Sequence, residues 1–587
     1  MMNQKENALK KLAGNAVSGM VATIIYMVSR LLLTPFILQY LSLEEFGLWS
    51  LCFIILSYAG MGGFGVNSTY IRYSARYLAE GKEKEISKLL STGVAYMFSF
   101  CLFFCLVLYL IMPFLLERFH IAPAQQDLAS TIFLGTAAVF SLELTLGGFR
   151  FVINGMHEFL KEKIVSTVAG LIEIGAILLF LYFGAGVKGL LYAFALRLVL
   201  ETIGCWAIAR SLLPSLSVSW RLISRENFRL FLGFGGKVQV LGILGIFLTA
   251  LDRLFITAIA GLAAGGMFEI GRKLPSTAGG ISSSAFGPFL STASHIEGRW
   301  AGEKPDAFPD RLKTYGLIVA TTVTLSLVPL FFLLPVQKRL QGASPLIAVF
   351  AGVLTVVLFY LLNRRMKNEN FLDNIELKQL YLNGIRFTNM INSTLFLFLV
   401  AMAHPLMNAW VGKEYARAAD VMIFLSTAYS IQLCTGPITM IFRGIDRNGR
   451  ELEYMLVQVI LMVIWIPAGT IASGLIGSAA AIACSSIVST CFLFWRSNNT
   501  FQIRFRKFVS VTVIPALVPL LPAVAVFAVS EIYPAEGRLV AVLQVLVCGV
   551  VYVLLSVMMF WKFILNGEEK SKALEMIPFN RKRNPPC

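Results

Sequence analysis

Six cations and five anions stand inside stretches that are otherwise apolar: Arg30, Glu143, Glu173, Arg197, Glu201, Lys237, Asp252, Arg253, Glu269, Arg272 and Lys273. A charge at the centre of a bilayer costs roughly 2.5–3.5 kcal/mol on insertion scales, so such residues face a polar cavity or a partner. What they can do is hold charge. The slight cationic excess predicts an anionic ligand. Arg suits phosphate or diphosphate best, because its planar fork grips two oxygens and stays charged when partly buried. Charged sugars and carboxylates fit the same chemistry.

Arg30 is the first candidate. No acidic residue lies within four positions of it, and Pro35 follows in the same stretch, where a kink is expected. Arg272 and Lys273 come next, after Gly271, and Arg253 and Lys237 complete the candidate substrate-binding set. Asp252, Glu143 and Glu173 are candidates for coupling to a proton or sodium gradient, with structural pairing as the alternative. Plainer roles stand beside several of these. Arg197 and Glu201 are i, i+4, which favours a local ion pair, and Glu269 and Arg272 are i, i+3. Lys237 lies near a span end and can snorkel to water. Asp252 and Arg253 are adjacent and point to different faces of a helix.

Other chemistries lack their residues. GFGGK at 233–237 does not have the Walker A spacing. The four His (His120, His157, His295, His404) form no ligand pair, and the nine Cys include no CxxC, so neither a metal site nor a disulfide framework is expected. No cofactor is predicted.

These charges must be positioned by membrane helices. The chain has 587 residues, 57% of them hydrophobic and only 14% charged, with a mean hydropathy of +0.74. Crossing the ~30 Å hydrocarbon core takes roughly 20 apolar residues. Sixteen such stretches are present, at about 12–40, 47–69, 91–115, 129–150, 164–184, 188–209, 230–259, 264–292, 315–335, 345–363, 387–408, 419–442, 453–473, 475–495, 508–530 and 539–561. The residues before the first stretch are polar and basic, and that stretch is expected to act as its own insertion signal. The net charge of +17 could suggest nucleic acid, but its placement excludes that partner. Most of the 50 Lys and Arg fall in every second loop, as in Arg72, Arg76, Lys82, Lys84 and Lys88. The alternate loops carry only Arg118, Lys188, Lys338, Arg339, Lys413, Arg417 and Arg538. The positive-inside rule then puts both termini in the cytoplasm.

The organisation along the chain follows. Residues 1–209 form an N-terminal bundle of six spans, and 210–229 a basic cytoplasmic linker, either a solvated loop or an amphipathic segment on the anionic inner leaflet. Residues 230–495 form a C-terminal bundle in which 296–386 reads as a two-span insertion, and 496–587 carry two terminal spans and a basic tail. A faint repeat links the halves: at an offset of 219, Phe36, Ile37, Gly47 and Trp49 match Phe255, Ile256, Gly266 and Phe268. Repeated halves suit alternating access, in which one rocks against the other.

Four segments point to a family. LTPFILQYLSLEEFGLWSL (33–51) and GMGGFGVNSTYIRYSARYLAEG (60–81) resemble the opening of the polysaccharide exporters and Wzx-type O-antigen flippases of the multidrug/oligosaccharidyl-lipid/polysaccharide (MOP) superfamily. LDRLFITAIAGLAAGGMFEIGRKL (251–274) resembles its seventh-to-eighth span junction, and PLMNAWVGKEYARAADVM (405–422) the segment after its ninth span. The resemblance implies an all-α polytopic membrane protein with two pseudo-repeated six-helix bundles around a central cavity, plus extra helices. About sixteen spans (fourteen to sixteen) are expected, the insertion accounting for the excess over the usual twelve to fourteen. It also implies flipping of an undecaprenyl-diphosphate-linked oligosaccharide, a lipopolysaccharide or exopolysaccharide precursor, across a bacterial inner membrane. Arg30 and Arg272 would then meet the diphosphate. Membrane lipids, a polysaccharide polymerase and a chain-length regulator are the implied partners.

Two other functions compete. A MATE-like drug/cation antiporter would favour an acidic lumen, against the cationic bias. A polyprenol-dependent membrane glycosyltransferase could use Glu44 and Glu45, but that external loop has only about seven residues and leaves an acceptor domain nowhere to fold. An enzyme is therefore not expected.

Overall fold

The computed structural model describes residues 27–299 and 374–576, apart from 64, 120, 157, 232–235, 284, 285, 446 and 448. The expected spans at 315–335 and 345–363, and most of the 296–386 insertion, lie outside the described residues. Among those described the chain is helical and no strand occurs. Among the described residues, ten helices are long and apolar enough to cross a membrane. Large apolar side chains are exposed along them, as at Leu102, Phe103, Leu106 and Leu110, or Leu539, Leu543, Leu546 and Val547. Such surfaces are stable when lipid is the solvent. The protein is a multi-pass, all-α membrane protein.

The first helices are α1 (27–40), α2 (Leu43–Ala59), α3 (Val66–Ala79) and α4 (Glu83–Arg118). A capping box starts α2: Ser42 Oγ accepts from the Glu45 N–H at 3.2 Å, and Glu45 Oε2 accepts from the Ser42 N–H at 2.9 Å. The apolar stretch at 47–69 is not one helix. GMGGFG (60–65) interrupts it with a 3₁₀ turn at Gly60–Gly63 and a left-handed Gly65 (φ 63°). The piece beyond, α3, is amphipathic, with Tyr70 and Ser74 buried and Arg72 and Arg76 exposed.

Next come α5 (Gln126–Leu146), α6 (Gly148–Gly155), α7 (Phe159–Tyr182), α8 (Gly186–Leu212), α9 (Arg225–Leu230), α10 (Gly236–Ala260), α11 (Leu262–Ser283) and α12 (Gly287–Arg299). The described chain resumes with α13 (Ile375–Ala401), α14 (Ala403–Trp410), α15 (Ala416–Gln432), α16 (Gly436–Gly444) and α17 (Gly449–Thr500). Two terminal spans close it, α18 (Phe505–Ile532) and α19 (Arg538–Phe563), followed by α20 (Gly567–Met576). At 1.5 Å per residue, 52 helical residues would run ~78 Å, far beyond a bilayer. The α17 segment instead breaks at Ser473 and Gly474 (φ 59°), between the two apolar stretches read from the sequence. Gly469 and Gly477 meet so closely across the break that a Cβ on either would overlap the other's backbone.

Two compact units result. Of the described residues, one holds 27–270 and 455–481, and the other 271–299, 374–454 and 482–576. Within the first, α2 and the start of α11 touch through the residues that the repeat makes equivalent. A Cβ on Gly266 would stand 2.6 Å from the Leu43 carbonyl oxygen, and one on Gly47 would overlap the Leu262 carbonyl oxygen. Leu43 and Leu262 are themselves 219 positions apart, so the contact is reciprocal, as across a local two-fold axis.

Candidate functional site

The N-terminal helices gather their intramembrane charges into one lattice. Arg30 on α1 donates through Nη2 to Glu173 Oε2 on α7, at 2.6 Å. Arg197 on α8 donates through Nη2 to both oxygens of Glu143 on α5, at 3.0 and 3.1 Å, and its Nε lies 3.7 Å from Glu173. A second knot adjoins it. Arg150 on α6 reaches Glu201 on α8 at 2.9 Å and Glu162 on α7 at 3.9 Å, and the Ser166 hydroxyl donates to Glu201. The α5–α6 junction at Gly147 leaves Glu143 and Arg150 seven residues apart, two turns along nearly continuous helix, so both project into this region.

The geometry departs from the sequence reading in two ways. Arg197 and Glu201 do not pair locally. Each takes a partner on a neighbouring helix, because cross-helix partners satisfy two charges and tie two spans together. The balance of this cluster is also not cationic: three guanidiniums (Arg30, Arg150, Arg197) face four carboxylates (Glu143, Glu162, Glu173, Glu201). Glu173 and Glu162 lie deeper than the guanidiniums they hold, whereas Glu143 (23% exposed) is no deeper than Arg197 (18%). Glu173 is 2% and Glu162 5% exposed, whereas Arg30 and Arg150 are 30% and 32% exposed. Buried acids thus hold accessible guanidiniums in place.

Asp252, Arg253 and Glu269 form a smaller group. Asp252, 5% exposed, accepts from the Arg253 backbone N–H at 2.8 Å. Arg253 donates to the Thr249 carbonyl at 2.9 Å and lies 3.6 Å from Glu269. Arg272 and Lys273 follow on α11, half-buried, where Gly271 packs tightly on Ala418 and Val421 of α15. Lys237 is on α10, but its side chain lies outside the described residues. Arg150, Glu162 and Ser166 were absent from the expected set, although the seven-residue spacing from Glu143 to Arg150 was a usable signal. Among the described residues no group of three metal-ligating side chains occurs, and His404 instead faces Asp420 at 3.6 Å. Glu45, a residue of the glycosyltransferase reading, is engaged in the α2 capping box.

The second unit carries an apolar groove of about 870 Å³ between α13 and α19. Phe387, Ile391, Phe398, Val550, Val553 and Phe560 are among the side chains that line it.

A long-helix fold with charges gathered between its spans defines a class, that of polytopic membrane proteins. The solved structures similar to it include the lipid II flippase MurJ in an inward closed conformation. That likeness is at 12% identity, covers 94% of this chain and 100% of that one, and has a TM-score of 0.59. Another is an inward-facing multidrug resistance MATE family transporter of the MOP superfamily, at 13% identity, 82% and 97% coverage and a TM-score of 0.54. These likenesses carry the fold. No curated protein matches the chain in sequence. Residues 9–293 match the family described as polysaccharide biosynthesis protein. The match agrees with the resemblance to polysaccharide exporters read from the sequence.

Proposed function

We propose that this protein flips a polyprenyl-diphosphate-linked oligosaccharide from the cytoplasmic to the periplasmic leaflet of a bacterial inner membrane by alternating access. The observation that carries the reading is Arg30: a guanidinium at membrane depth, 30% exposed and held by a carboxylate that is 2% exposed. Such a cation can receive a diphosphate with little reorganisation. Exposing the same diphosphate to hydrocarbon would cost far more, since an isolated ion pays tens of kcal/mol on idealised Born estimates. Arg272, Lys273, Arg253 and Lys237 are the further cations proposed to meet the charged headgroup. The α13–α19 groove has the apolar walls that a polyprenyl chain needs. Coupling to a proton or sodium ion through Glu143, Glu173 or Asp252, and work beside a polymerase and a chain-length regulator, belong to the same proposal.

The test is lipid extraction from cells lacking the gene, rescued with wild type or Arg30→Ala. Accumulation of polyprenyl-diphosphate-linked oligosaccharide and loss of surface polymer are expected, with no rescue by Arg30→Ala at normal membrane abundance. Val550→Trp, which narrows the groove, should lower polymer output severalfold. A second reading, a MATE-like cation antiporter, is favoured by the four carboxylates against three guanidiniums. Normal polymer without the gene, together with efflux of cationic dyes from vesicles, would put that reading first.

A further inference from the structure

The linker between α8 and α10 is not a free loop. Its backbone is stitched along the first turns of α4. The Ser217 N–H donates to Ser87 Oγ at 3.2 Å, the Ser219 N–H to Ser91 Oγ at 3.1 Å and the Ser224 N–H to Thr92 Oγ1 at 2.9 Å. The Ser215 hydroxyl adds a bond to Glu83 Oε2 at 2.8 Å. Leu213, Leu216, Asn227 and Phe231 turn inward and are buried, with the Phe231 ring edge-on to Tyr70 at 5.7 Å. The hydroxyls of α4 therefore stand in for a strand partner, and the strap is held in one register.

That register fixes what the strap shows outward. Trp220 is 74% exposed, Val218 and Ile223 are exposed beside it, and Arg221, Arg225 and Arg229 are exposed as well. Among the described residues no carboxylate pairs with these three arginines. The neighbouring α3–α4 turn differs: Arg76 and Lys82 both bind Glu80, at 2.8 and 2.7 Å, and Lys88 binds Glu85 at 2.7 Å. Glu226, the strap's own acid, acts on Lys88 and Tyr77 instead. An exposed indole and two aliphatic side chains beside three uncompensated guanidiniums match the interface of a negatively charged leaflet: apolar groups at the acyl boundary, guanidiniums at the phosphates. The positive-inside rule puts this strap on the leaflet that carries anionic lipid.

We propose that residues 213–231 are a binding surface for anionic phospholipid headgroups. The inference is independent of the transported substrate. The test uses the purified full-length protein and native mass spectrometry, with phosphatidylglycerol or phosphatidylcholine added in titration. An Arg221→Gln/Arg225→Gln/Arg229→Gln variant should retain phosphatidylglycerol about tenfold less than wild type, while the triple Lys variant keeps most of it and phosphatidylcholine retention stays the same in all three. Equal phosphatidylglycerol retention by the Gln variant, or an equal loss of both lipids, would overturn the proposal. If the Gln variant does not fold, the decision falls to wild type and Trp220→Phe in phosphatidylglycerol vesicles carrying brominated acyl chains. Bromine quenching of the fluorescence that Trp220→Phe removes supports the surface, and an unquenched Trp220 ends it.

Discussion

The two units differ in the mix of polar contacts that joins their helices. In the N-terminal helices the contacts are ionic and long-range: Arg30 to Glu173, Arg197 to Glu143 and Arg150 to Glu201 join residues 143, 54 and 51 positions apart. In the second unit neutral cross-helix contacts stand beside ionic ones such as Arg386 on α13 with Glu569 on α20, at 2.8 Å. Ser282 bonds Asn392, the Asn389 amide donates to the Thr512 carbonyl at 3.0 Å, and the Tyr552 hydroxyl donates to the Thr394 carbonyl at 2.8 Å. Its buried charges cluster about the start of α17. Arg443 grips Glu451 at 2.6 Å, while Arg450 and Arg496 both approach Glu453, at 3.6 and 3.5 Å. The difference is one of consequence. Removing half of a buried ion pair strands a charge, whereas removing half of a neutral bond strands a dipole. The N-terminal lattice is thus the region where charge is held ready, and the neutral contacts serve packing.

The largest effect should come from the best-buried carboxylate. Glu173→Ala leaves Arg30 and Arg197 without a shared counterion and should cost about 3–5 kcal/mol, read as a large fall in melting temperature in detergent. A melting temperature within a degree of wild type would break the comparison. Asn392→Leu, at one of the neutral contacts, removes one polar partner of Ser282 and should cost about 1–3 kcal/mol, with surface-polymer output retained in cells if the proposed function holds. Arg30→Lys keeps the charge but loses the fork. Glu173 retains Arg197 nearby, so the melting temperature should barely move while polymer output falls severalfold; equal loss of both would make Arg30 a structural residue only.

The smallest effect belongs to Glu80, at the surface just past the end of α3, whose carboxyl pKa is lowered to about 2 by hydrogen bonds from Lys82 and Arg76. A depressed carboxylate contributes stability above its ordinary range and loses it as pH falls toward 2. Because the pairs are exposed, Glu80→Gln should lower melting only slightly and equally across pH 5 to 8, and a large shift there would show that this surface brace carries more than exposed pairs do.

Local chemistry was readable without the fold. Hydropathy located the spans, including the break between 473 and 475 that divides α17. Gly47 and Gly266 marked a repeat whose two copies meet in the structure. The interruption of 47–69 was also written in its four glycines, Gly60, Gly62, Gly63 and Gly65, but apolar length outweighed them in the reading. Hydropathy, capping and turn chemistry act over a few residues, so they belong to the sequence alone. The pairing of charges does not. Arg197 had Glu201 one turn away and yet binds Glu143, and Arg30, with no local acid, finds Glu173 across 143 positions. The serines of the linker gave no sign that they would line up on Ser87, Ser91 and Thr92. These matches depend on how each helix is rotated and which helix lies beside it. Only the packed bundle sets that, because in a low-dielectric interior every buried charge must end beside whichever opposite charge the packing brings within reach.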